Sequence, residues 1–389
     1  MPFIEQLLNG ENVEWKPLGE VAELKRGNTI TKKTSTEGNY PVISGGKQPA
    51  YYTNSFNREG ETITIAGSGA YAGYVMFWNV PIFVSDAFSI KVNNEQILPR
   101  YIYHFLLNIQ DKIHALKSGG GVPHVYAKDV ARFLIPLPPL SVQHKIVEIL
   151  DKFTELEANL EAELDCRKRQ YEYYRNQLLS FDMLNRGGQK LNDVKIMTLG
   201  DLGTFVRGSG LQKKDFTPTG VGCIHYGQIY TYYGTYAKKT KSFVSQEFAL
   251  KARKAKHGDL IIATTSENDE DVCKAVAWLG DEDIAVSSDA CFYAHTMNPK
   301  YIAYYFQTEL FQSQKRKFIT GTKVRRVNAK DLAKIKIPLP SLSVQREIVE
   351  ILDKFDTLCN SISEGLPKEM ELRRKQYEYY RNQLLTFAQ

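Results

Sequence analysis

The 389-residue sequence has no cysteine framework. Its five cysteines, at 166, 223, 273, 291 and 359, are odd in number and include no CxxC pair, which argues against a disulfide-stapled fold and the usual zinc spacings. Long apolar runs are missing as well. Stretches such as 74–78 fall far short of the ~18–20 residues that span a bilayer. The opening Met1-Pro2-Phe3-Ile4-Glu5 has no basic segment leading into an apolar one, so no secretory leader is legible. These absences together lead to the expectation of a reduced, cytoplasmic protein with no membrane partner. Charge of one sign is also scarce. The chain holds 50 Lys and Arg against 44 Asp and Glu, and the net +6 is too modest to identify a nucleic-acid ligand by itself.

Catalytic signatures are equally hard to find. Gly45-Gly46-Lys47-Gln48 lacks the earlier glycine and the Ser or Thr of a phosphate-binding loop. Gly67, Gly69 and Gly73 stand between two strand-like runs, so no helix N-terminus would meet a pyrophosphate there. There is no Asn-Pro-Pro-Tyr/Phe or Asp-Pro-Pro-Tyr tetrapeptide of the kind that orients an exocyclic amine for methylation. There is also no Pro-Asp followed by the acid-x-Lys triplet of a Mg²⁺ nuclease. The seven histidines are dispersed without metal spacing. The acidic stretch at Glu267, Asp269, Glu270 and Asp271 does not match an EF-hand and reads as a solvated loop. The expectation is a chain with no catalytic residue, metal or cofactor of its own.

What the chain does contain is a repeat. Residues 135–153 recur at 337–355 with 16 of 19 positions identical, and 170–181 recur at 376–387 with 11 of 12 identical. Fainter echoes lie upstream. Leu18-Gly19-Glu20 and Arg26-Gly27 return as Leu199-Gly200-Asp201 and Arg207-Gly208, and Ala127-Lys128-Asp129 returns as Ala329-Lys330-Asp331. One unit of about 200 residues is therefore written twice, with a diverged first part and a nearly identical last part. The boundaries expected from this are a block at 1–140, a helix and linker at 141–189, a second block at 190–340 and a C-terminal helix at 341–389.

The nearly identical parts predict two long helices. Ser141 and Ser343 stand just past the prolines, where an N-cap is wanted. Apolar residues then recur every three or four positions from Ile146 to Phe181 and from Ile348 to Phe387, the rhythm of a coiled-coil seam. Each helix would be roughly 60 Å long. The second copy carries one extra step of four, and Gly365 and Pro367 predict a kink or break inside it.

The diverged blocks read as α+β. Strand-like runs at 62–66, 74–78, 82–84, 88–92, 260–264, 275–279 and 284–286 are bounded by Gly, Asn, Asp and Pro, with one helix per block near 100–116 and 300–317. Strict βαβ alternation is absent, which excludes a doubly wound sheet. Divided at these boundaries, the charge becomes informative. Residues 1–140 hold 13 basic and 12 acidic side chains, and 190–340 hold 23 and 15. The helical parts 141–189 and 341–389 hold 7 against 9 and 7 against 8, so they are poor candidates for lying on phosphate.

The basic residues of the blocks fall in glycine-rich or polar loops. Loops of Arg, Lys, Gln, Asn and Ser can reach both phosphates and base edges. In the first block the candidates are Lys25, Arg26, Asn28, Lys32, Lys33, Ser44, Lys47, Gln48, Ser68 and His124. In the second they are Arg207, Lys213, Lys214, His225, Tyr226, Gln228, Lys238, Lys239, Lys241, Ser266, Thr322, Lys323, Arg325 and Arg326. Any one of these loops alone reads as a solvated turn. Their occurrence in both blocks is what points to nucleic acid, with the two histidines in neutral hydrogen-bonding roles.

The repeated motifs resemble the specificity subunit of type I restriction–modification enzymes. The run 135–153, present twice after two diverged blocks, carries most of the likeness. Segments 4–20, 154–164 and 167–181 are similar to the type IC branch. The resemblance implies a pseudo-twofold tandem repeat of two α+β target recognition domains, each reading one half of a split double-stranded DNA target. It implies that the two helices form an antiparallel coiled coil that sets the spacer and docks methyltransferase subunits. Endonuclease–translocase subunits would join the larger assembly, and S-adenosylmethionine, ATP and Mg²⁺ would belong to these partners. Arg175, Gln177, Arg381 and Gln383, in the repeated Tyr-Glu-Tyr-Tyr-Arg-Asn-Gln block, are the candidate partner contacts. The rival readings are a self-contained modification enzyme and a coiled-coil scaffold whose lobes bind other ligands.

Overall fold

The computed structural model describes residues 3–186 and 194–387, so the boundary expected between 189 and 190 lies outside the described residues. The chain divides into two compact units, one made of residues 1–161 with 369–389 and the other of residues 162–368. Each unit therefore combines one diverged block with helical pieces from both copies of the repeat.

In the first unit, four antiparallel strands lie in the order Ala22–Arg26, Ala87–Val92, Thr62–Ala66, Val75–Trp78. The central Thr62–Ala66 strand is buried throughout. Its β-branched residues suit a covered pleat, and Thr64 Oγ1 accepts the Trp78 indole N–H at 2.8 Å. A smaller sheet joins Tyr51–Thr53, Tyr40–Ile43 and Phe83–Val84, the last pair parallel. The expected helix at 100–116 is two, Pro99–Asn108 and Gln110–Ala115. Ile63, Ile65 and Ile90 share a core with Tyr101, Ile102 and Phe105 from the first of these helices. Strands Glu14–Pro17 and Leu134–Leu137 pair antiparallel and bring the two ends of the block together.

The second unit repeats this plan with more strands. Five lie in the order Gly203–Arg207, Ala290–His295, Leu260–Ala263, Ala275–Trp278, Tyr236–Ala237, and a second five-stranded sheet is built around Val221–Ile224 and Ile284–Val286. The expected helix at 300–317 is again two, Pro299–Tyr305 and Glu309–Arg316. Strands Lys195–Thr198 and Lys336–Leu339 close the block as their counterparts do in the first unit.

The helical expectation holds, the break included, with one correction to the capping residues. Leu140–Leu178 is one helix of 39 residues. The second copy is broken into Leu342–Asn360 and Leu366–Leu385, with Gly365 at φ +82° in the gap. A side chain at Gly365 would meet the Thr357 carbonyl oxygen at 2.4 Å. The N-cap assignment was misplaced by two residues. Ser341, not Ser343, caps its helix by accepting from the Val344 N–H, and Ser141 lies inside a helix that already begins at Leu140. In the first copy Pro139 occupies the position of Ser341, so no side-chain acceptor stands there.

Two polar residues of the repeated motif explain why it is so well kept between the copies. Gln143 is almost fully buried; it donates to the Pro138 carbonyl at 2.8 Å and accepts from the Leu98 N–H at 3.0 Å. Gln345 does the same with Pro340 and the Asn298 N–H, at 2.8 and 2.9 Å. Asp151 accepts from Arg100 and from His104, both at 2.7 Å, and Asp353 from Lys300 and Tyr304 at the same distance. Both pairs of contacts fasten a long helix to the buried helix of its own block, Pro99–Asn108 or Pro299–Tyr305.

Within each unit the long helices pair antiparallel. In the first, Phe153 packs on Tyr377 and Tyr380, and Arg374 donates to Glu157. In the second, Phe355 packs on Tyr171 and Tyr174. The seam tyrosines are thus packing residues. Among the described residues no helix is long and apolar enough to cross a membrane.

Candidate nucleic-acid interface

Both blocks build one face by the same construction. It starts at the repeated Arg-Gly. A Cβ on Gly27 would lie 2.3 Å from the Ser85 carbonyl oxygen, and one on Gly208 would lie 2.2 Å from that of Ser287. Only glycine lets the backbone cross so closely, which is why this dipeptide recurs in otherwise diverged segments. The crossing sends Asn28 to the Val84 carbonyl and Ser209 to that of Val286. Next to it, Ser85 donates its N–H to Ile43, just before Ser44, and Ser287 donates to Ile224, just before His225.

A short hairpin completes each face. In the first unit Ser118 and His124 exchange backbone hydrogen bonds, and Ser68 bridges to His124. In the second Thr320 and Arg326 exchange them, and strand Thr265–Ser266 pairs with Arg325–Arg326. The two hairpins have the same length and differ in side chains. Gly120, Gly121, Pro123 and His124 of the first correspond to Thr322, Lys323, Arg325 and Arg326 of the second. The replacement of Gly121, Pro123 and His124 by Lys323, Arg325 and Arg326 accounts for three of the seven charges by which the blocks differ.

The structure therefore gathers Arg26, Asn28, Ser44, Ser68 and His124 in the first unit. Arg26, Asp86, His124 and Tyr126 line a cavity of about 70 Å³. The Ser68 hydroxyl donates to the Asp86 carboxylate. Lys47 stands at the rim with its ammonium 5.1 and 5.2 Å from the Tyr71 and Tyr74 ring centres, and Gln48 beside it is exposed. Lys25 is exposed on the last turnward stretch of its strand. Lys32 and Lys33 are exposed on a turn whose following residue Thr36 bonds to Thr53 and Asn54, at the start rather than the finish of the Tyr40–Ile43 strand.

In the second unit Arg207, His225, Tyr226, Ser266, Arg325 and Arg326 come together. Arg207 donates to the Ser288 carbonyl at 3.0 Å, and the Tyr226 N–H donates to Ser287 Oγ at 2.9 Å. His225 caps its short helix: Nδ1 accepts from the Gly227 N–H at 3.2 Å, and burial, aided by nearby Lys213, holds its pKa below the usual value. The ring is therefore neutral, with one nitrogen already used. Lys213 and Lys214 lie exposed on the adjoining turn. Thr322 and Lys323 are exposed at the hairpin tip. Gln228 is turned inward instead, bonding Ser242 Oγ at 2.7 Å and the His225 N–H at 3.1 Å.

The lysine run is not part of this face. Ala237 pairs with Trp278 at the end of the sheet away from Ala263 and Thr264, and Lys238 and Lys239 follow Ala237. Lys241 lies over the Tyr232 ring at 4.6 Å, beyond the far end of the Tyr226–Thr231 helix.

Three features escaped the sequence reading. Arg58 donates to the Arg26 carbonyl at 3.1 Å and Arg253 to that of Arg207 at 2.8 Å, so an arginine from another segment ties down each Arg-Gly turn. Asp86 and Asp289 place a carboxylate beside each face, and their position in a shared Val-Ser-(Ser)-Asp-Ala sequence was an available signal. Tyr126 stacks on His124 at 6.1 Å and stays about half exposed.

The candidate partner contacts differ in exposure. Arg175 and Arg381 are only partly exposed: each lies over a tyrosine of its own helix, Tyr171 at 5.0 Å and Tyr377 at 5.2 Å, and Arg175 bonds Gln307. Gln383 is likewise partly covered, while Gln177 is exposed. The outward residues of the two copies are Tyr173 and Tyr379, 60% and 61% exposed. Helical spacing explains the exchange: two positions separate 173 from 175, about 200° around the helix.

The family model for the type I restriction modification DNA specificity domain matches residues 10–165 and again 192–372. A Haemophilus influenzae protein named as a type I restriction enzyme specificity subunit is 32% identical, over 99% of this chain and 98% of its own length. The specificity subunit of a type I restriction enzyme from Escherichia coli is 30% identical, over 100% and 97%. Among solved structures, the S subunit of a type I restriction–modification system from M. genitalium superposes with a TM-score of 0.58 at 19% identity, covering 98% of each chain. A structure described in terms of complex assembly and conformational transition of the type I system superposes with a TM-score of 0.61 at 16% identity, covering 96% of this chain and 98% of the other. With two matched domains over most of its length and relatives aligned nearly end to end, the chain belongs to the type I restriction–modification specificity-subunit family.

Proposed function

We propose that each unit reads one half of a bipartite double-stranded DNA target through the face built on its Arg-Gly turn and hairpin. The observation that carries this reading is the pairing of one backbone construction with two different side-chain sets. The hairpin of this shared scaffold presents Gly, Pro and His in one unit and Thr, Lys and Arg in the other, as two readers of different half-sites require. The chain supplies recognition and not catalysis. Methyl transfer with S-adenosylmethionine, and ATP- and Mg²⁺-dependent cleavage, belong in this reading to methyltransferase and endonuclease–translocase partners. Tyr173 and Gln177, exposed in the second unit, and Tyr379, exposed in the first, are the docking contacts offered to methyltransferase subunits by each unit separately.

Sequencing modified bases after expressing this chain with its methyltransferase partner tests the reading. A two-part motif with an unread spacer is the expected result, and unmodified DNA or an undivided motif would refute it. Four residues inserted after Leu160, inside the Leu140–Leu178 helix, lengthen it by ~6 Å, about one or two base pairs at ~3.4 Å each. Both half-sites should stay as they were while the spacer grows.

A further inference from the structure

We propose that Asp269 is a positioning residue for Arg325, and that the pair reads a guanine in the half-site of the second unit. The inference rests on the DNA-recognition reading above and goes further by naming the base and the residue that fixes its reader.

Arg325 is already oriented without DNA. Its Nε lies 2.8 Å from Asp269 Oδ1, and its Nη1 donates to the Gly321 carbonyl at 2.6 Å. An arginine has five N–H donors in a planar fork, so two are committed and three remain, including those at the end of the fork. That end matches the O6 and N7 acceptors of guanine in the major groove. A cation that merely neutralises phosphate needs no such aim. Lys323, exposed two residues away at the hairpin tip, can serve that purpose.

The loop that supplies Asp269 is itself held from beneath. Lys315 is fully buried, and its ammonium donates to the carbonyls of Asp269, Glu270 and Val272 at 2.7, 3.0 and 3.0 Å. Burying an ammonium is costly unless its donors are satisfied, and here three carbonyls of one loop satisfy it. Asn268 and Asp271 close the same loop with two hydrogen bonds of 2.8 Å. The stretch that reads from sequence as a solvated acidic turn is thus a built support. In the first unit the corresponding loop is the shorter glycine-rich 67–73, and Pro123 stands in place of Arg325. The carboxylate and the arginine are present together or missing together.

A carboxylate on a DNA-facing surface repels phosphate, and this separates the proposal from a simple charge effect by sign. Removing Asp269 for electrostatic reasons alone would tighten binding to every sequence. Removing a positioning residue erases the preference at one base pair.

The test selects bound duplexes from a random library with the full-length wild-type chain and with Asp269→Ala, Asp269→Asn, Arg325→Ala and Arg325→Lys, followed by binding titrations on the selected site. Expected is a wild-type motif with one G·C pair whose replacement weakens binding about 5- to 150-fold. Arg325→Ala and Arg325→Lys should lose that preference. Asp269→Ala should lose it at the same position, to less than about 3-fold, with the remaining positions unchanged. Asp269→Asn, which keeps an acceptor for Nε, should retain most of it. A wild-type chain that selects no motif would refute the recognition reading and this inference with it. A wild-type motif that survives Arg325→Ala, or that survives Asp269→Ala after Arg325→Ala has erased a guanine, would overturn the inference and leave the recognition reading standing.

Discussion

The ring of Tyr171, from the first copy of the repeat, stacks on that of Phe355, from the second, with centroids 6.1 Å apart and planes 12° from parallel. Phe153 and Tyr377, the residues at the matching positions, meet at the same 6.1 Å in the other unit. The start of each long helix is thus paired with the end of the other. Removing one partner should loosen one unit. Phe355→Ala is expected to cost about 2 kcal/mol, less than a fully buried Phe because the site is only partly covered. Denaturant unfolding should show a lower first midpoint with the other unit little changed, and a single unchanged midpoint would contradict this.

The Arg-Gly turn makes a sharper demand. Gly208→Ala places a methyl 2.2 Å from the Ser287 oxygen, so the strand end must move. A loss of about 2–3 kcal/mol is expected, together with weakened DNA binding. Gly210→Ala has no atom within 4 Å to meet and should stay within about 0.5 kcal/mol of the parent. Thermal melts of the two variants decide the matter.

Replacing Lys323 and Arg326 by Ala should weaken DNA binding across all sequences and reduce the slope of log K against log salt by about 1 for each cation removed. Lys238→Ala with Lys239→Ala, at the other end of the sheet, should leave the slope as it was. Titrations at several salt concentrations give the comparison. A slope reduced only by the second pair would relocate the interface.

Acid should weaken the second unit through His295. Burial pushes its pKa down to about 4, against about 6.5 in an unfolded chain. The fold thus favours the neutral ring. Stability is fully present above about pH 6.5, falls as the pH drops from there toward 4, and levels off below it. His225, also held down chiefly by burial, adds in the same direction, and His104 does the same for the first unit. Melting temperatures between pH 7 and 4.5 should fall less steeply for His295→Gln than for the parent, and parallel curves would exclude the effect.

Much of the molecule was legible because its signals are local or repeated. The helices followed from a three- and four-residue rhythm, and the break near Gly365 from a glycine and a proline set close together. The seven strand runs named from sequence each lie within a residue of an observed strand, since buried β-branched runs bounded by turn residues have few other uses. Most of the 23 strands among the described residues, Val221–Ile224 and Ala290–His295 included, carried no such run. The doubling of the chain was visible as identity alone, and with it came the family. The proposed DNA face was only half legible. Sequence could nominate polar loops but not tell Arg326, on the face, from Lys239, at the opposite end of the sheet, because both are lysine- and arginine-rich surface turns in one dimension.

Sequence by itself determined what repeats and which segments are helical. Tertiary structure alone decided which segments become neighbours. Gln143 and Asp151 look like ordinary helix-surface residues until they are seen bonded to Leu98 and to Arg100 and His104. Arg175 looked like an exposed contact until it was seen folded over Tyr171. The physical reason is the same in each case. Periodicity and turn chemistry act within a few residues, whereas a hydrogen bond or a stacked ring depends on distance in space, and chain order does not specify it.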